Sequence, residues 1–152
     1  THTRPPQSLS GLVGSEMCIR DRYESNSRKV LNLGHTIGHA LESYSHLSNS
    51  LDKLKHGEAI IIGLITELYI SNKLNDFSLD TVDKLKEVSL NYFSKIRLID
   101  SDLKGIYDLM IFDKKNDKGS VNFVLLDKVG KPMIDQKVDY DIFIEAFAYY
   151  NN

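Results

Sequence analysis

Cysteine, tryptophan, proline and long apolar runs are scarce or absent in this sequence of 152 residues. A single cysteine excludes a disulfide framework and a four-cysteine zinc site. The longest apolar stretch, residues 59–65, is interrupted by Gly63 and is far shorter than the roughly 18 residues that indicate a membrane span. With 19 Lys and Arg against 21 Asp and Glu, the chain lacks the basic surplus expected of a nucleic-acid binder. What is present is typical of one globular domain.

The N-terminal segment, residues 1–22, differs from the rest. It contains two of the three prolines, Cys18 and His2, and it shows neither a helical nor a strand period. Its part GLVGSEMCIRDR resembles a translated sequencing-adaptor remnant, so we expect a disordered, non-native tail; a genuine disordered tail is the alternative. The body, residues 23–152, then has no cysteine, which agrees with a cytoplasmic location. It contains only one proline, Pro132, and this scarcity of prolines favours helices.

Apolar periodicity predicts a mainly α body, one multi-helical domain with a small β-hairpin. The first helix begins near Ser27 and carries an apolar stripe that faces the core. The second, residues 56–73, is apolar on almost all sides and is expected to be the buried central helix. A third helix starts at Ser78, with Val82, Leu85, Val88 and Phe93 on one face, and a fourth is capped by Asp100 or Ser101. A hairpin at residues 120–138 turns at Gly130, and a last helix covers residues 140–149.

The polar side of the first helix has an unusual composition. At about 100° per residue, one narrow stripe is formed by Arg28, Asn32, His35, His39 and Glu42. A solvated helix face is the ordinary interpretation of such a stripe, but it would favour Lys, Glu and Gln, whereas Asn and His are mediocre helix formers. Gly34 and Gly38 each cost about 1 kcal/mol relative to Ala in a helix interior, and they would let a neighbouring backbone or a ligand approach closely. The pattern predicts a functional face.

Histidines outside the tail are concentrated between residues 35 and 56. His35 and His39 are four residues apart, a spacing that can bring two imidazoles to one metal ion. His56 begins the central helix and raises the number of candidate ligands to three, the usual protein contribution to a catalytic zinc site. From the residues alone we therefore predict a metal site of His35, His39 and His56, with His46 as an exposed loop residue.

Three motifs closely resemble the C-terminal domain of the 3-dehydroquinate synthase family. They are RKVLNLGHTIGHALE at residues 28–42, HGEA at residues 56–59 and DKKN at residues 113–116. Gly119, NFVLL at residues 122–126 and Val129-Gly130 agree with the same family. The resemblance covers about residues 23–150 and implies the multi-helical domain of that fold.

The resemblance implies an NAD⁺- and divalent-metal-dependent lyase of the shikimate pathway. Its reaction converts 3-deoxy-arabino-heptulosonate 7-phosphate to 3-dehydroquinate and phosphate. The implied steps are transient oxidation of a ring hydroxyl, elimination of phosphate, re-reduction, ring opening and aldol closure. A Zn²⁺ or Co²⁺ ion would lower the pKa of the coordinated hydroxyl and favour hydride departure to NAD⁺. The family also implies a homodimer for the full-length enzyme.

The resemblance assigns roles to individual residues of the polar stripe. Metal coordination falls to His35 and His56, and substrate or proton handling falls to His39. Substrate binding falls to Arg28 and Asn32, since a guanidinium can engage a carboxylate or phosphate bidentately. This assignment replaces the spacing-based prediction that His39 is a ligand, and the family's third ligand, an upstream Glu, matches no position here.

Two further expectations follow from the resemblance. One lysine of Lys114-Lys115 would contact the substrate. The family's nucleotide-binding domain has no counterpart here, because no Gly-rich phosphate loop follows a strand. We therefore expect a fragment of the enzyme, with no NAD⁺-binding residues of its own, that binds metal weakly and does not turn over alone.

Two classes of alternative stay open. A related sugar-phosphate cyclase, such as a 2-deoxy-scyllo-inosose synthase, would share much of the stripe, and a metal-dependent polyol dehydrogenase would share the two-domain fold. The other class is a helical metal-binding module without catalysis. For that module, zinc titration should show one tight site that includes His39, and Arg28→Ala should leave function intact.

Overall fold

The computed structural model describes residues 28–113 and 121–152. The segment 1–22, expected to be a disordered tail, lies outside the described residues. Within them the chain forms five α-helices and one two-stranded antiparallel sheet, which confirms the mainly α fold with a hairpin. The elements are α1 (His35–Leu47), α2 (His56–Asn75), α3 (Leu79–Tyr92), α4 (Asp100–Asp113), β1 (Phe123–Lys128), β2 (Lys131–Gln136) and α5 (Tyr140–Asn151).

The chain before α1 is not the continuous helix that periodicity predicts. A single 3₁₀ turn covers Val30–Asn32, and α1 begins at His35. Gly34, at the N-cap, has φ +80°, a left-handed conformation that favours glycine and ends any helix entering it. The prediction of one helix from Ser27 is therefore wrong, because apolar spacing does not register a left-handed residue.

Helix α2 is the buried centre of the fold, as predicted. It packs against α1 on one side and against α3, α5 and β1 on the others. Its buried residues surround its axis, from Ala59 through Ile62 and Ile65 to Ile70. None of the described helices combines the length and the apolar character needed to cross a membrane.

The outer elements largely follow their sequence signals. Ser78 caps α3 by accepting the amide of Thr81, and Val82 is buried beneath that helix. Val88 and Phe93, predicted on the same face as Val82, are 55% and 36% exposed, and Phe93 follows the last residue of the helix, so this part of the prediction is wrong. The β1–β2 hairpin turns at Gly130, whose φ is +82°. Helix α5 extends two residues beyond its predicted end and closes the core with Phe143, Phe147 and Tyr150.

Candidate metal and substrate site

The site lies where the first turns of α1 meet α2, and three glycines allow the two backbones to touch there. A Cβ on Gly63 would overlap the carbonyl oxygen of Gly34 and would lie 2.7 Å from the amide nitrogen of Gly38. A Cβ on Gly38 would lie 3.1 Å from the Cα of Ile60. The prediction that Gly34 and Gly38 admit a close neighbour is confirmed, and that neighbour is the backbone of α2.

Three imidazole rings come together on the side of this contact that faces solvent. His35 and His39 project from consecutive turns of α1, with ring centroids 5.1 Å apart, and His56 at the first position of α2 completes the group. The His56 ring lies 6.0 Å from that of His35 and 5.6 Å from that of His39. One nitrogen from each ring lies within 4.8 Å of the others. His35 is half-buried, and the other two rings are exposed.

Two of the three rings are oriented through Nδ1. The Nδ1 atom of His35 lies 3.1 Å from the carbonyl oxygen of Leu33, to which it can donate as the Nδ1–H tautomer. The Nδ1 atom of His56 lies 2.9 Å from Oε2 of Glu42. The hydrogen bond from His56 outweighs the effect of burial and lowers the pKa of Glu42 below its ordinary value. In both rings Nε2 is left for another partner.

The donor set fits a divalent transition metal. A zinc ion lies about 2.0–2.1 Å from each imidazole nitrogen, which sets tetrahedral neighbours roughly 3.4 Å apart. The ring nitrogens lie within 4.8 Å of one another, so each pair needs to approach by at most about 1.4 Å to reach that separation. A carbonyl or carboxylate on the second ring nitrogen is the usual support of a metal-binding histidine.

The remaining predicted site residues precede α1 or lie outside the described residues. Arg28 and Asn32 are exposed and precede the break at Gly34, so the single helical stripe that joined them to the histidines is wrong. Asn32 lines a polar cavity of about 100 Å³ with Lys29, Thr36, Asn122, Phe123, Val124 and Asp135. His46 is exposed as predicted, but it lies in the last turn of α1 and not in a loop. Lys114 and Lys115 lie outside the described residues.

Two carboxyl groups beside the site were not assigned from the sequence. Glu42 was placed on the stripe without a role, and its spacing from His39 within GHxxE was the available signal. Glu67 on α2 is fully buried and accepts hydrogen bonds from the amides of Gly34, at 2.6 Å, and Ile37, at 2.9 Å. Burial raises the pKa of Glu67 to about 8 against the opposing effect of these amides. Its signal was an acid in the apolar middle of a helix, unlike Glu58 in the first turn of the same helix.

Comparison with known proteins identifies relatives along most of the chain. The family described as 3-dehydroquinate synthase C-terminal matches residues 10–116. This match begins inside the segment set aside as a non-native tail, and that expectation stays a prediction. The 3-dehydroquinate synthase of Parabacteroides distasonis is 36% identical over 148 residues, covering 93% of this chain and 41% of the relative. That of Leptospira interrogans is 36% identical over 130 residues, covering 83% and 34%.

Solved structures of a related enzyme are also similar to this chain. A crystal structure of 2-deoxy-scyllo-inosose synthase complexed with carbaglucose-6-phosphate, NAD⁺ and Co²⁺ is similar at a TM-score of 0.63 and 30% identity. The similarity covers 85% of this chain and 36% of that one. The chain thus spans well under half the length of these relatives and neighbours.

Proposed function

The chain belongs to the family of 3-dehydroquinate synthase C-terminal domains, and on that premise we propose that it is the metal- and substrate-binding part of a 3-dehydroquinate synthase. The whole enzyme would be a phosphate-eliminating lyase that converts 3-deoxy-arabino-heptulosonate 7-phosphate to 3-dehydroquinate and phosphate. Its relatives extend well beyond the length matched here. We propose that such a further part carries NAD⁺ and that this chain alone does not turn over.

The observation that carries the proposal is the group of three imidazoles with nitrogens within 4.8 Å of one another. His35 and His56 would hold a Zn²⁺ or Co²⁺ ion through Nε2, because Leu33 and Glu42 engage their Nδ1 atoms. Such an ion acts as a Lewis acid toward a coordinated hydroxyl group. The solved neighbour that was crystallised with Co²⁺ and NAD⁺ supports this choice of cofactors.

The other residues of the site would bind substrate and move protons. His39 lies beside both proposed ligands and is exposed, so it can exchange a proton with a bound sugar phosphate. Arg28 would bind a carboxylate or phosphate, and Asn32 would hydrogen-bond a hydroxyl. One of Lys114 and Lys115 would add a cationic contact.

Two other functions make different predictions about this site. A related cyclase would use the same histidines on a hexose phosphate, and the similarity to 2-deoxy-scyllo-inosose synthase favours it as the second candidate. A non-catalytic metal-binding module would use all three imidazoles as ligands. In that case His39→Ala would weaken Co²⁺ binding as much as His35→Ala does.

The test joins the chain behind the N-terminal part of the Parabacteroides distasonis relative and assays phosphate release with NAD⁺ and Co²⁺. We expect release from 3-deoxy-arabino-heptulosonate 7-phosphate and none from glucose 6-phosphate. His35→Ala and His56→Ala should abolish it, whereas His46→Ala, an exposed histidine of the same helix as His35, should not. Turnover by the chain alone, or a preference for glucose 6-phosphate, would contradict the proposal.

A further inference from the structure

Helix α1 begins without a cap of its own, although it carries two of the three imidazoles. Its N-cap residue is Gly34, which has no side chain to accept an amide of the first turn. The amides of Gly34 and Ile37 instead donate to Oε2 and Oε1 of Glu67. The acceptor therefore comes from the middle of another helix, 33 residues away in sequence from Gly34.

A carboxyl group at this position requires explanation. Glu67 is fully buried in α2, the central helix of the core, where an acid is disfavoured unless it is hydrogen-bonded. Both of its oxygens are used on the first turn of α1, one on each side of His35 in sequence. The Glu67 carboxyl group thus contacts the segment whose backbone orients the His35 side chain.

We propose that Glu67 is a positioning residue for the imidazole group. By accepting the amides of Gly34 and Ile37, its carboxyl group fixes the first turn of α1, from which His35 projects, and thereby orients the next turn, from which His39 projects. The glycine contact sets how closely α1 approaches α2, and Glu67 sets the rotation of the first turn about that contact. This inference rests on the proposed function in taking the imidazoles as the metal site.

The experiment compares Co²⁺ binding by the wild-type chain and Glu67→Gln, followed by visible absorption. The Gln side chain keeps one acceptor oxygen but turns an NH₂ group, which cannot accept, toward the second amide, whereas the hydroxyl oxygen of protonated Glu67 can still accept there. We expect the Co²⁺ dissociation constant to rise roughly tenfold, the lower end of the effect for supporting partners of metal ligands, with an altered ligand-field spectrum. Unchanged affinity and spectrum would overturn the proposal.

Thr66→Val is the matched control. Thr66 is the neighbouring buried polar residue of α2, but its hydroxyl donates to Ile62 and Gly63 within its own helix. The Thr66→Val variant should match the wild type in Co²⁺ affinity and in its ligand-field spectrum. An equal loss in Thr66→Val and Glu67→Gln would show that general loosening of α2, and not Glu67, explains the effect.

A metal-free measurement separates this inference from the proposed function. In the wild-type chain, the amides of Gly34 and Ile37 should be protected from hydrogen exchange, and rapid exchange of both would overturn the inference even if Glu67→Gln does not fold. If the wild-type chain binds no Co²⁺, the proposed metal site fails. The ring signals of His35 and His39 then decide the inference: Glu67→Gln must shift them, and Thr66→Val must not.

Discussion

Two buried carboxyl groups hold the two segments that deliver histidines, and they do so in different surroundings. Glu67 lies in the core and binds the first turn of α1, which carries His35. Asp102 lies in the first turn of α4 and holds the connector between α1 and α2. That connector, residues 48–55, leads to His56.

The hydrogen bonds of the two groups differ in kind. Glu67 accepts from the backbone amides of α1, and burial dominates, so its pKa is raised to about 8. Burial also acts to raise the pKa of Asp102, but hydrogen bonds from the Ser50 hydroxyl, the Ile99 amide and the Tyr44 hydroxyl outweigh it, and that pKa is lowered. Two buried acids thus respond to pH in opposite directions, because burial outweighs the hydrogen bonds at Glu67 and the hydrogen bonds outweigh burial at Asp102.

The comparison shows that the two proposed metal ligands are anchored differently. His35 depends on backbone packing and a fully buried acid, so its position is part of the core. His56 depends on a connector held by hydroxyl groups and on Glu42 near the surface. We expect damage to the glycine contact on the first side to destabilise the domain, and damage on the second side to change chiefly the metal affinity.

The largest effect should come from breaking the core side with Gly63→Ala. The new Cβ would overlap the Gly34 carbonyl, so α1 must move away from α2. We expect a loss of at least about 3 kcal/mol in the free energy of unfolding, measured by urea denaturation, which exceeds the roughly 1 kcal/mol that Ala gains over Gly in a helix. Gly57→Ala, which meets nothing within 4 Å, is the control. Equal stability of the two variants would show that the backbones do not touch.

The pH dependence of stability sharpens the comparison. Because the folded-state pKa of Glu67 is raised, the native state retains a proton that the unfolded state has released above about pH 4.5. Between pH 5 and pH 7 the wild type should lose roughly 2–3 kcal/mol of unfolding free energy relative to Glu67→Gln. If the free energies of unfolding of the two proteins, measured by urea denaturation, changed equally with pH, this expectation would be refuted.

Asp102 should show the opposite sign. Its lowered folded-state pKa contributes stability that is present above the ordinary pKa of Asp and is lost as pH falls through the folded value. The wild type should therefore lose stability relative to Asp102→Asn on acidification below about pH 4. A wild-type advantage that grows in acid would contradict the assignment of its hydrogen bonds.

A smaller effect is expected from Glu42→Gln on the His56 side. The substitution weakens the partner of His56 Nδ1, so Co²⁺ affinity should fall about tenfold. The free energy of unfolding should change by no more than about 0.5 kcal/mol, since the pair lies near the surface. Co²⁺ titration and urea denaturation measure the two quantities. Glu145→Gln, which alters an exposed pair with Lys73, should leave the affinity unchanged.

The smallest effect should follow Ser50→Ala in the connector. The variant loses the 2.6 Å hydrogen bond from Ser50 to Asp102, worth about 1 kcal/mol or less in thermal or urea denaturation. Asn49→Ala, which truncates the exposed residue next to it in the connector, serves as the control. If Ser50→Ala lowered the free energy of unfolding as much as Gly63→Ala does, the expected difference between the connector and the α1–α2 contact would be contradicted.

Local signals predicted most of the fold, and their failures have identifiable causes. The sequence predicted the cap at Ser78, the turn at Gly130 and the apolar residues around α2, because each of these features depends on neighbours in sequence. The start of α1 was not, because the left-handed conformation of Gly34 is invisible to periodicity. The role of Glu67 was missed because its partners lie on another helix.

The sequence by itself determined the helices, the hairpin, the family and the inventory of histidines, since spacing and motif are properties of the chain alone. Only the tertiary structure decided that His56 meets His35 and His39, that Glu42 orients His56, and that a buried acid caps α1. These contacts join residues on different elements. Their distances follow from how closely three glycines let two helices approach, which no local pattern encodes.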